Sequence, residues 1–223
     1  MPVERTRINV RPMATPLPIT FLGLMMATTV VAGLELGIVP EHSYHEVGWA
    51  IVAVPVPMQL LAAAWGFVTR SAAATTGSAV LAATWFGVGL TTITGTYGKP
   101  GPDPALGLLL LGSAAALTVP MVAEIRVGSL LPAVVMGMTA ARFMITGIDG
   151  FEHTHAWTTA SGYAGFVLAF VALYGAAALE LEGSSQDAIL PVFRTGRSQR
   201  GMEIGLSEQL DEVEHEAGVR KTL

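Results

Sequence analysis

Two charged residues stand where charges are costly. Glu35 lies near the far end of the apolar run from Thr15 to Val39, and Arg142 lies inside the run from Val127 to Ile148. An Arg or Asp at the centre of a membrane helix costs about 2.5–3.5 kcal/mol on insertion scales, so each needs a partner or a task. Counted along their runs, the two fall at similar depth, nearer the outer surface, and they can pair. As chemistry, the Glu35 carboxylate can accept a proton and the Arg142 guanidinium can attract an anion. As structure, the same residues form a salt bridge or snorkel toward the interface.

The other candidates are weaker. Pro16 and Pro18 open the first run. A helix start presents unpaired N–H groups and the positive end of the dipole, which can hold an anion, but prolines there are also ordinary helix initiators. Gln59 and the threonines Thr28, Thr29, Thr91, Thr92 and Thr94 can line a polar path, although a membrane threonine often bonds its own backbone. Glu41, His42, His45 and Glu46 form one polar outer patch, and Asp149, Glu152, His153 and His155 form another. These patches offer a divalent-cation site or a pH sensor, yet their HxH and HxxH spacings fix no ligand geometry, and solvated loop residues are expected. Trp85, Tyr163 and Tyr174 read as core or interface aromatics, and Trp157 as a member of the interfacial belt.

The elements that position these residues are transmembrane helices. Of 223 residues, 52% are hydrophobic and 13% charged, with a mean hydropathy of +0.55. Soluble domains carry about 25% charge, so this is an integral membrane protein. A run of about 20 apolar residues at 1.5 Å each covers a hydrocarbon core of roughly 30 Å. Six such runs are expected, at 15–39, 47–68, 78–96, 105–123, 127–148 and 158–181. The first is too long for a signal-peptide h-region. The reading is all-α: an N-terminal arm at 1–14, a six-helix bundle at 15–182, and a polar, acidic tail at 183–223. In that tail Leu206, Leu210, Val213 and Ala217 fall at helical spacing, read as a solvated or partly disordered helix.

Lys and Arg in alternate loops set the orientation, since the cytoplasmic side carries the excess. Arg5, Arg7, Arg11, Arg70, Arg126, Arg194, Arg197, Arg200, Arg220 and Lys221 fall on one side, against Lys99 on the other. Both termini are therefore expected in the cytoplasm. Small residues at spacing four, namely Gly33 and Gly37, Gly112 and Ala116, and Gly137 and Ala141, favour a tight bundle. The net charge of −5 identifies no partner, because six of the acids sit in residues 203–223. With no cysteine, thiolate chemistry and Cys-based metal sites are excluded. No nucleophile elbow, phosphate loop, HExxH, cofactor motif or nucleic-acid patch occurs, which argues against an enzyme.

Three segments carry a resemblance. TPLPITFLG (Thr15 to Gly23) resembles the Asn-Pro-Ala-Pro-Leu-Gly-Leu signature that opens the first helix of the acetate uptake transporter family, sharing Pro16 and Pro18. The stretch from Ala62 to Leu90 resembles that family's second-to-third helix region, with its short basic link. Ser161 to Phe193 resembles its last helix, with Tyr174, Glu180 and the terminal Leu190 and Pro191. The resemblance implies a homohexamer of six-helix protomers in the cell (inner) membrane, each with its own pore for acetate or a similar monocarboxylate, by proton symport or as an anion channel. It places Pro16, Thr20 and Phe21 near the cytoplasmic substrate site, with Gln59, Trp85 and Tyr174 as further pore residues. The competing expectations are a pore for a small neutral solute such as urea, and a non-transporting scaffold that recruits a partner through its tail.

Overall fold

The computed structural model describes residues 14–95, 102–184 and 189–203. Its helices are α1 (Leu17–Glu35), α2 (Tyr44–Ala53), α3 (Pro55–Val68), α4 (Ala72–Ile93), α5 (Pro104–Val127), α6 (Leu130–Glu152), α7 (His155–Ser184) and α8 (Gly196–Glu203), with a short 3-10 turn at Glu41–Ser43. Six spans are long and apolar enough to cross a membrane, the second being the composite Glu41–Val68. The expected six-helix, all-α membrane architecture is what the chain adopts.

Local chemistry sets the breaks. Proline lacks an N–H and clashes with the preceding turn, so the second span is interrupted at Val54 (φ −115°, ψ −73°) and restarts with Pro55 at the first helical position. The end of α1 is a Schellman closure: Gly37 at φ +68° lets Ile38 N–H donate to Gly33 O at 2.9 Å and Gly37 N–H to Leu34 O at 3.0 Å. Glu35 is thereby fixed in the last turn of α1. Asp103 caps α5 by accepting from Leu106 N–H at 3.1 Å.

Several expected boundaries move. The third span begins at Ala72 rather than Ser78, because the link SAAATTG is small without being helix-breaking, and alanine is the best helix former. The outer polar patches are mostly helical as well: α2 starts at Tyr44, α6 runs through Glu152 and α7 resumes at His155. Polarity marks where the membrane ends, and here the helices continue past it.

Packing places α1 along α7, α5 along α6, and both α2 and α3 against α4. The first span buries 67% of its apolar window, whereas the second and fourth bury 39%, so α1 is central and the other two face outward. One close crossing is between α5 and α6, where a Cβ on Gly107 would stand 2.8 Å from Gly147 O and one on Gly150 would stand 2.8 Å from Gly107 Cα. Of the pairs picked out by spacing, Gly137 packs closely on Met121 of α5, whereas Gly37 closes α1, and Gly112 and Ala116 line a shallow apolar groove on the outer side of α4 and α5. Leu60, Leu61, Phe67, Leu108, Val119 and Phe170 are exposed, as suits a surface facing lipid.

Residues 189–203 fold back on the end of the bundle where α1 begins. Thr195 N–H donates to Gly128 O at 2.8 Å, Val192 is buried, and Arg194 pairs with Glu182. The segment from Leu206 to Ala217, expected as a helix, lies outside the described residues.

Candidate functional site

α6 carries Thr139, Arg142, Thr146 and Asp149 at spacings of three, four and three, so four polar side chains share one face of an apolar helix. All four are buried. Asp149, expected as a solvated loop residue, instead accepts from Thr158 Oγ1 of α7 at 2.9 and 3.1 Å. It sits inside because α6 continues through it.

Arg142 meets Glu35. The Nη2 to Oε2 distance is 2.9 Å, and the two side chains are 2% and 3% exposed, so the pair is an interior salt bridge and neither residue snorkels to the interface. Glu35 stands at the C-terminal end of α1, where the helix dipole disfavours an anion, which increases its need for a cation. Ser161 Oγ of α7 donates to Glu35 Oε1 at 2.8 Å, Thr146 Oγ1 shares a hydrogen bond with Ser161 Oγ, and Arg142 Nη1 approaches Thr146 Oγ1 at 3.4 Å. Removing one member of such a buried pair typically costs about 3–5 kcal/mol, because the survivor keeps its charge without compensation.

The cationic end is walled by an aromatic. The Arg142 guanidinium carbon lies 6.0 Å from the centroid of Trp85 on α4, and Trp85 meets Phe143 edge-to-face at 5.4 Å. Gly165 of α7 provides the opposite wall, where an added Cβ would stand 2.9 Å from Arg142 Nε and 2.9 Å from Ala32 Cβ. α1, α4, α6 and α7 thus converge on one charged cluster.

A second, uncharged cluster lies toward the start of α1. Thr20 Oγ1 donates to Pro16 O at 3.2 Å and is 2.7 Å from Ser78 Oγ of α4, which can donate in return. Gln59 Nε2 of α3 reaches Thr20 O at 3.4 Å, and Gly23 leaves the room it occupies. Phe21 is fully buried beside Gly175 of α7 and stands next to this cluster in sequence. Near the same end a cavity of about 180 Å³ is lined by Thr15, Leu17, Ser129, Pro132, Leu179, Val192 and Arg194. At roughly 30 Å³ of liquid volume per water, it admits a few waters or one small solute.

The proline-marked helix start is poor in donors. Pro16 and Pro18 have no N–H, Leu17 N–H reaches Thr15 Oγ1 at 3.4 Å, and Thr20 N–H already pairs with Pro16 O. Tyr174 is half-buried, and its hydroxyl donates to Pro191 O at 2.8 Å, clasping the returning segment. His45 is placed outside both clusters, between Ile93 O and Trp49. Among the described residues no group of three His, Cys, Asp or Glu is arranged to hold a metal.

Of the sequence candidates, Glu35, Arg142 and Trp85 come together in one cluster, and Pro16, Thr20 and Gln59 in the other. Ser78, Thr146, Phe143, Ser161 and Gly165 join them without standing out in the sequence. The spacing of Thr146 and Asp149 from Arg142 is the sequence signal that marks the α6 stripe.

Six helices long and apolar enough to cross a membrane, packed around buried polar clusters, define a polytopic membrane protein. The sequence matches the GPR1/FUN34/yaaH family over residues 1–194, and the chain belongs to that family. The fold is similar to that of the bacterial acetate channel SatP, with a TM-score of 0.71 at 16% identity, covering 81% of this chain and 99% of that one. No curated protein matches the sequence. The resemblance to an acetate transporter family stands on this match.

Proposed function

We propose that the chain carries small monocarboxylates, acetate foremost, across the cell (inner) membrane through a path inside each protomer. Its family membership and its structural similarity to a bacterial acetate channel support that substrate class. The buried Glu35–Arg142 pair carries the reading, because a span interior retains a guanidinium at this cost only for a reason, and anion passage supplies one. The excess of Lys and Arg on one side supports cytoplasmic termini. The cavity beside Arg194 and the Thr20–Ser78–Gln59 cluster then lie toward the cytoplasm, and the charged cluster lies outward of them.

Charge balance favours proton coupling. Glu35 already neutralises Arg142, so a second carboxylate beside them leaves a net buried negative charge unless a proton enters with it. Glu35 is the group placed to take that proton. Carboxylate and proton then cross together, and the step is electroneutral. Assembly as a homohexamer follows from the resemblance, with the outward groove of α4 and α5 available for a neighbouring protomer.

The uncharged cluster also suits a neutral solute, and urea is the discriminating control. Protein reconstituted in liposomes is expected to take up labelled acetate above protein-free vesicles, more strongly when the outside is acidic, and to leave labelled urea at background. Urea flux without acetate flux would replace the carboxylate reading by the neutral-solute one. No flux of either would leave the scaffold reading.

A further inference from the structure

The charged cluster contains two donors with nothing to donate to. Among the described residues, Arg142 Nε and Trp85 Nε1 are buried without a hydrogen-bond partner, in side chains that are 2% and 0% exposed. An unmade hydrogen bond to a buried group typically costs about 1–3 kcal/mol, more for a charged one, and two in adjacent side chains mark a place where an acceptor belongs. The guanidinium carbon is 6.0 Å from the Trp85 centroid, so the two donors belong to side chains that meet in one cluster.

The resident carboxylate does not fill this role. Glu35 takes Arg142 through a single oxygen on Nη2, and its other oxygen is occupied by Ser161, leaving Nε unused. An arginine fork grips a carboxylate best through two parallel N–H bonds, and this fork is half engaged. Gly165 of α7 packs on the Nε edge, so closely that a Cβ there would stand 2.9 Å from Nε.

We propose that Arg142 Nε and Trp85 Nε1 form a binding station for the carboxylate of the passing solute, which competes with Glu35 for the guanidinium. The inference rests on the transport reading and adds the two residues that hold the substrate. Phe143 and the Trp85 ring confine the site to short acyl chains. Arg142 of α6 pairs with Glu35, Ser161 of α7 donates to it, Thr146 of α6 contacts Arg142 and Ser161, and Trp85 of α4 faces Arg142. A carboxylate entering while Glu35 is ionised meets a neutralised arginine. With Glu35 uncharged, the arginine is free to bind it.

Acetate binding to the purified full chain, by titration calorimetry near neutral pH, tests this together with the apparent KM for uptake in liposomes. Trp85→Phe keeps the aromatic packing but loses the donor, and is expected to weaken both by about three- to tenfold. Glu35→Gln removes the competing charge, and is expected to tighten binding about tenfold and flatten its pH dependence. A purely structural pair predicts unchanged or weaker binding in Glu35→Gln. Gln is close in size to Glu and Phe is tolerated in an aromatic site, so neither variant depends on surviving loss of the arginine. Wild-type uptake with the same binding and KM in both variants overturns the station alone, as does weaker binding in Glu35→Gln. A wild type that neither binds nor carries acetate removes the transport reading first, and the station with it.

Discussion

The two polar clusters of the bundle solve the same problem with different chemistry. At the charged cluster, Glu35, Arg142, Ser161 and Thr146 from three helices hold a full ion pair out of water, and the guanidinium lies against Trp85. At the uncharged one, Thr20, Ser78 and Gln59 share hydrogen bonds that largely close on backbone carbonyls, with Gln59 Oε1 left buried without a partner among the described residues. A buried charge has no cheap fallback when its partner leaves, whereas a hydroxyl can turn back to its own helix. The charged cluster is therefore where losing one partner costs the fold most, and the uncharged one is where losing a single hydroxyl costs less.

The contrast sets the scale of mutational effects. Arg142→Met leaves Glu35 buried without its cation, and a loss of about 3–5 kcal/mol is expected, read as thermal unfolding in detergent. Adding Glu35→Gln to Arg142→Met should recover much of that loss, and a double variant no more stable than the single one would mean that the charge itself is not the burden. Gly165→Ala forces a methyl against Arg142 and Ala32, with an expected cost of about 1–3 kcal/mol and a fall in acetate uptake. In the uncharged cluster, Thr20→Val is expected to cost about 1 kcal/mol, since Ser78 can find another acceptor. A loss as large as that of Arg142→Met would erase the distinction between the clusters. Tyr174→Phe removes a clasp on the returning segment, with an expected cost of about 0.5–1.5 kcal/mol and no change in the apparent KM.

Much of this arrangement is legible in the amino-acid sequence. Hydropathy marks the six spans, because a bilayer demands about 20 apolar residues of each helix. Similar depth in two helices running the same way marks Glu35 and Arg142 as residues that can pair. What stays hidden requires knowing which helices touch. Ser161 bonds Glu35 across 126 positions of sequence, and only the packing of α1 on α7 brings them together. Gly107, Gly147 and Gly150 form a close crossing without falling in the spacing-four pairs of the sequence, because the crossing uses residues from two helices. Asp149 is misleading in the sequence because a polar run there reads as a loop, whereas α6 carries it inward on the face of Arg142. Trp85 is legible as a buried aromatic, but its unpartnered N–H and its place beside the guanidinium are not.

The most direct test of coupled carboxylate and proton passage separates the pH gradient from the membrane voltage. Labelled acetate uptake would be measured in liposomes with the potential clamped by a potassium ionophore at several potassium ratios, against protein-free vesicles. The protein-dependent flux is expected to follow the pH gradient and to stay constant as the voltage is varied. Flux that tracks the voltage and ignores the pH gradient would show that the anion crosses alone, contradicting the role given to Glu35.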